Sequence, residues 1–274
     1  MTDHYRATAA AERAERLAAT DSPFAIDVRF VGGLTERQRT AFSKAADRWV
    51  RVIVGDLPSV RVDGETVDDV LIVAEGSSID GPGQILGQAG PTHLRPQNAG
   101  AAALLPARGE MTFDSADLAE MESDGTLDDV ITHEMGHVLG IGTLWAQKRL
   151  LAGSGTADPT FTGAVAVAEY KALGGSGAVP VENTGGPGTR EGHWRESVFG
   201  NELMSGFIRE PGNPLSRITA GSLADLGYQV DLDAAEDYRL PMRPEAREPA
   251  HGHRGRGTVI PRVPVVLPEA SLIS

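Results

Sequence analysis

Apolar and polar positions alternate over residues 24–31, FAIDVRFV, with the period of two that predicts a strand. Past the Gly32–Gly33 turn the period lengthens. Thr35 can cap a helix that carries Phe42, Ala45, Ala46, Trp49 and Val50 on one face and ends near Gly55. Short strands are predicted at 60–62, 70–74 and 110–114, while the Gly/Pro-rich stretch 75–100 reads as loop with a short strand near 85–86. Leu127, Val130, Ile131, Val138 and Leu139 restore a helical period, with Asp124 or Thr126 as its cap. Strand signals then fade. Residues 141–216 read as irregular apart from a helix near 164–173, and a last helix at about 216–226 stops at Gly227. These patterns predict an α+β chain in four parts: a helical N-terminal extension (1–22), an α/β lobe with a twisted mixed sheet (23–140), a largely irregular lobe (141–240) and a Pro-rich surface tail (241–274).

Composition narrows the chemistry. The 274 residues carry 25 Lys plus Arg against 38 Asp plus Glu, a formal net charge of −13. An acidic surface of this kind argues against nucleic acid or an anionic membrane as the main partner. The chain has no cysteine, which excludes disulfides, thiolate metal sites and a cysteine nucleophile. Any metal must be held by His, Asp or Glu. No run of about 18 apolar residues exists to span a membrane. Residues 1–22 hold no apolar core of a secretory signal, which predicts a cytoplasmic chain or one exported by a leaderless route.

One motif carries chemistry. His133-Glu134-Met135-Gly136-His137 matches H-E-x-x-H, and on a helix residues four apart share a face, so both imidazoles can reach one ion. Glu134 follows the first of them and can serve as a general base. The apolar flanks bury the helix, which makes three polar groups there costly unless they share a partner. A catalytic site needs a third protein ligand and leaves a position for water. Gly140 sits where a metzincin helix ends, yet Thr143 occupies the place of the third histidine in the compact pattern H-E-x-x-H-x-x-G-x-x-H. Two replacements are open: His193, in GTREGHWRESVFGNELMSG, or Glu169, in AVAVAEYKALGG, which would give a His/His/Glu site.

At these residues the sequence resembles the leishmanolysin-like zinc metallopeptidases of the metzincin clan. The resemblance rests on His133, Glu134, His137 and Gly140, on His193 before Trp194, on Met204 in NELMSG and on NPLSRITAGSLADLGY, and it spans roughly residues 24–231. It implies that His193 is the third zinc ligand and Met204 the methionine of the Met-turn. It implies further that the protein is a metalloendopeptidase acting on protein or peptide substrates. This chain departs from the exported, disulfide-rich members in lacking cysteine, so latency through a cysteine is excluded. Gly206 stands where some metzincins have a tyrosine.

Other features take plainer readings. His4 and His93 are expected at the surface, and so is the His251–Gly252–His253 segment of the tail. The stretch 110–129 has eight carboxylates and no Lys or Arg; it reads as a solvated acidic face, with a calcium site conceivable but without EF-hand spacing. A peptide substrate is expected to pair with a sheet edge at 84–88 or 100–105. A zinc-stabilised binding protein without turnover is the rival of another class, and a zinc hydrolase of non-peptide amides is a third; Glu134 argues against the binding protein.

Overall fold

The computed structural model describes residues 3–81, 83, 86–186, 188–208, 210–241 and 263–273. Its main sheet contains β1 (His4–Thr8), β2 (Ala25–Gly32), β5 (Val70–Ser77), β6 (Gly87–Leu94), β7 (Pro106–Asp114) and β11 (Val265–Val266). A separate hairpin is formed by β3 (Val60–Val62) and β4 (Glu65–Val67), and three two-residue strands make a small second sheet: β8 (Leu151–Ala152), β9 (Thr160–Phe161) and β10 (Val179–Pro180). The main sheet runs β1-β2-β5-β7-β6-β11. It is mixed: β2, β5 and β7 are parallel, β1 runs antiparallel to β2 and β6 to β7, and β11 joins β6 in parallel.

Seven α-helices accompany the strands among the described residues: α1 (Ala11–Ala18), α2 (Glu36–Val52), α3 (Ser115–Asp124), α4 (Leu127–Val138), α5 (Ala164–Ala172), α6 (Glu196–Phe199) and α7 (Arg217–Leu226). The α2 start is a capping box. The Thr35 hydroxyl accepts from the Gln38 N–H at 3.2 Å and the Gln38 side chain accepts from the Thr35 N–H at 2.9 Å, so two otherwise orphaned donors are satisfied. Helices α2 and α4 pack together on one face of the sheet. Strand alternation decides what meets them: Val70, Ile72 and Ala74 of β5 join the main core, while Leu71 faces a smaller cluster with Val60, Val62, Val67, Ala107 and Leu267.

Several expectations need correction. Residues 1–22 do not form a purely helical extension, because β1 precedes α1 and pairs along β2. Its gain is backbone pairing plus ion pairs of Arg6 with Asp27 and Asp68, none of which an apolar pattern registers. The stretch 75–100 contains the eight-residue β6, which tolerates Gly87, Gly90 and Pro91 at a register shift beside β7. Of the proposed edge segments, Gly100–Ala102 is a 3₁₀ turn rather than a strand, while β6 begins at Gly87 and residues 84 and 85 lie outside the described residues. The tail's described end returns to the fold: β11 pairs with His93 and Leu94, and Leu272 bridges to Val60. His251 and His253 lie outside the described residues.

Candidate metal centre

Helix α4 is buried almost all round, with Ile131, Met135 and Val138 inaccessible and the polar His133, Glu134 and His137 buried among them. Gly136 explains how closely its neighbours approach. A Cβ there would lie 2.8 Å from Met204 Sδ and 2.9 Å from Trp49 Cζ2, so only glycine admits both. The Trp49 indole N–H donates to the Thr132 carbonyl at 2.9 Å and locks α2 against α4. Gly140 (φ +106°) ends the helix, and Thr143 then donates its hydroxyl to the His137 carbonyl at 2.7 Å. The residue at the compact third-ligand position therefore caps the helix end. Gly142 (φ +73°) lets the chain pass the segment before His193, since a Cβ there would fall 2.0 Å from the Gly192 carbonyl oxygen.

His193 is carried on the strand-like segment beyond. Its carbonyl accepts from the Glu182 N–H at 2.8 Å, and Trp194 N–H donates to the Met204 carbonyl at 2.9 Å. This brings three Nε2 atoms together: His133 to His193 at 3.0 Å, His137 to His193 at 3.0 Å and His133 to His137 at 3.1 Å. Each ring's other nitrogen faces a carbonyl oxygen, which can only accept. His133 Nδ1 donates to Leu203 at 2.7 Å, His137 Nδ1 to Ile141 at 2.9 Å and His193 Nδ1 to Thr189 at 2.8 Å. The neutral rings are therefore fixed with Nδ1 protonated, and three Nε2 lone pairs point into one another's space.

Such a triangle cannot hydrogen-bond to itself. Protonation does not relieve it either: burial, with His193 close by, pushes His133 down to about 3, and burial also lowers His137 and His193. A cation bonded to all three does relieve it. A tetrahedral ion with bonds of about 2.0–2.1 Å spaces its nitrogens by about 3.3 Å, close to the distances found. Among the described residues, two groups can hold a metal ion, and the buried one is His133, His137 and His193. The other, Asp56, Asp68 and Asp69, is only partly buried. Glu134 is 6% exposed, its Oε2 is buried without a hydrogen-bond partner, and burial pushes its carboxyl up to about 8. A cation nearby acts in the opposite sense and favours the carboxylate.

The remaining candidates have other occupations. Glu169 accepts from Arg217 Nε at 2.7 Å and is not among the converging ligands. Met204 is fully buried, with Sδ against Gly136, and Gly206 lies beside Glu182. His4 is exposed and bonded to Asp27, and His93 is partly buried on β6 beside Thr92. The acidic stretch is put to structural use: Asp114 caps α3, Asp117 accepts from the Gly83 N–H, Asp128 pairs with Lys44 and Asp129 with Arg48. Sequence reasoning missed the three carbonyls that orient the imidazoles, because backbone acceptors leave no residue-type signal.

The leishmanolysin family profile matches residues 101–240, just over half of the chain. The chain belongs to the leishmanolysin family. No curated protein matches it in a sequence search. The matched span contains α4, the three histidines and Met204, while most of the sheet precedes it. The family is one of zinc-dependent metallopeptidases, so membership indicates, at family level, a metallopeptidase hydrolase, and a peptidase acts on protein or peptide substrates. No helix among the described residues is long and apolar enough to cross a membrane.

Proposed function

We propose that the protein is a zinc metalloendopeptidase in which His133, His137 and His193 hold one zinc ion and Glu134 is the general base. The observation that carries this reading is the closed triangle of Nε2 atoms at 3.0–3.1 Å, with every Nδ1–H already committed to a backbone carbonyl. When bound, zinc supplies Lewis-acid polarisation of the scissile carbonyl and acidifies a water. Glu134 accepts the attacking water's proton at Oε2, the oxygen without a protein partner, and passes it to the leaving amine. That unpartnered buried oxygen also favours an enzyme over a zinc-stabilised binding protein, where it would be a cost with no use. Met204 acts by packing: its sulfur fills the space beside Gly136 under the histidine-bearing turn of α4.

An extended peptide has an edge to join. Among the described residues, strand β6 pairs with β7 on one side and with β11 at His93 and Leu94 on the other, and the substrate would add along Gly87–Thr92, beside α4. The test is zinc content of the purified protein together with digestion of an unstructured protein substrate. One zinc per chain, and cleavage at internal bonds that a chelator abolishes and zinc restores, is the expected result. Metal-free protein with undiminished cleavage would contradict the proposal.

A further inference from the structure

Glu202 is fully buried, two residues before Met204, and the proposed chemistry does not use it. A carboxylate in the interior is costly unless donors surround it, and here they do. Oε2 accepts from the Met204 N–H at 2.6 Å. Oε1 accepts from the Ser216 N–H at 3.1 Å, from the Ser216 hydroxyl at 2.7 Å and from the Thr219 hydroxyl. The Thr219 oxygen in turn accepts the Trp194 indole N–H at 2.8 Å, and the Trp194 backbone N–H donates to the Met204 carbonyl at 2.9 Å. These bonds close a ring through Glu202, Thr219, Trp194 and Met204 that joins α7, the Met-turn and the strand-like segment after His193.

Two of the three imidazoles hang from that ring. His133 is oriented by the carbonyl of Leu203, the residue between Glu202 and Met204. His193 directly precedes Trp194, which the ring grips by both its backbone and its indole. His137 is held differently, by Ile141 at the end of its own helix. We infer that Glu202 is a positioning residue of the metal centre, fixing the 202–205 loop so that His133 and His193 aim Nε2 at a common point. The inference rests on the zinc-site reading above. Glutamine cannot substitute. Both carboxylate oxygens face a backbone N–H, of Met204 and of Ser216, and a primary amide offers only one oxygen to accept.

The test uses metal-free full-length protein titrated with cobalt(II), whose visible bands report the geometry of its ligands. Three variants are compared with the wild type: Glu202→Gln, Thr219→Val, which breaks the ring between Glu202 and Trp194, and Asp114→Asn. Asp114 is another buried carboxylate, which accepts the Ile79 and Ala116 N–H groups away from the site. Glu202→Gln is expected to weaken cobalt binding about tenfold or more and to shift the bands, as loss of a group orienting metal ligands does. Thr219→Val should move both in the same direction by less, and Asp114→Asn should lower the melting temperature while moving neither. Folded Glu202→Gln and Thr219→Val proteins with wild-type affinity and spectrum would overturn the inference alone. If Glu202→Gln does not fold, Thr219→Val decides by the same two readouts. A wild type that binds no cobalt or zinc removes the zinc-site reading and this inference with it.

Discussion

The two ends of the metal centre are built by different physics. His133 and His137 stand on a helix packed against a sheet, in a core of side chains with regular spacing such as Phe30, Phe42 and Phe113, whose rings meet edge to face at 6.1 and 5.8 Å. His193 stands in a region whose regular strands are two residues long, where buried polar hubs stand beside an aromatic cluster of Trp145, Phe161, Trp194 and Phe199. Glu202 is one such hub. Glu182 is another: it accepts from the N–H groups of Asn183, Thr184 and Glu196. Asp129 joins the halves, binding Arg48 of α2 with one oxygen and the Gly212 and Asn213 N–H groups with the other. Apolar packing is non-directional and tolerates adjustment, whereas a hub needs each donor in place. The first region should therefore fail by losing stability, and the second by losing the geometry of the site.

The largest effect expected is at His193. Replacing it with Ala should abolish both tight zinc binding and activity, because two imidazoles do not complete the site. Glu169→Gln, which disturbs only the pair with Arg217, should leave both near wild type, and zinc titration of the two purified variants reads the ranking directly. Next comes Glu134→Gln. It should keep zinc and lower the hydrolytic rate by at least about 10²–10⁴-fold, the share of a general acid–base group, which a paired zinc assay and peptide cleavage assay would reveal.

Phe42→Ala probes the packed region. It removes a fully buried ring between Phe30 and Phe113 and should cost about 3–5 kcal/mol in denaturant unfolding, while zinc affinity of the folded fraction stays unchanged. A loss of affinity larger than the loss of stability would erase the contrast between the two regions. The smallest effect concerns acid stability. Burial raises the Asp114 carboxyl, but the N–H groups of Ile79, Asp80, Gly81 and Ala116 outweigh it and leave it below the usual range. A carboxyl lowered in the folded state adds stability above its unfolded value, about 3.9, and that stability fades as pH falls through the folded value. Asp114→Asn should therefore be less stable than wild type at neutral pH, with the gap narrowing below about pH 4. Denaturant midpoints at pH 7 and pH 3 would show it.

This contrast also governs what could be read from the residues beforehand. The period of two at 24–31 and the helical face of Phe42, Ala45, Ala46 and Trp49 correspond to β2 and α2, because apolar burial leaves its period in the sequence. Ser216 and Gly227 bracket the last helix, because caps are residue-specific. Strand β1 and the acidic α3 were illegible: one is rewarded by backbone pairing at a sheet edge, and the other begins with Asp114 as cap and carries few apolar residues. At the site, H-E-x-x-H announces itself by spacing. The convergence of His193 depends on glycines at 140 and 142 and on carbonyls of Leu203, Ile141 and Thr189, and only a resemblance to related sequences pointed to it.

The central claim is that three histidine nitrogens from both regions hold one catalytic zinc ion. Zinc-edge X-ray absorption on the purified, active protein tests it most directly. The account predicts a first shell of three imidazole nitrogens at about 2.0–2.1 Å plus one light oxygen donor, and the loss of one imidazole from whatever zinc His193→Ala retains under forcing concentrations. A shell with only two imidazoles and a protein carboxylate in the active wild type would contradict it.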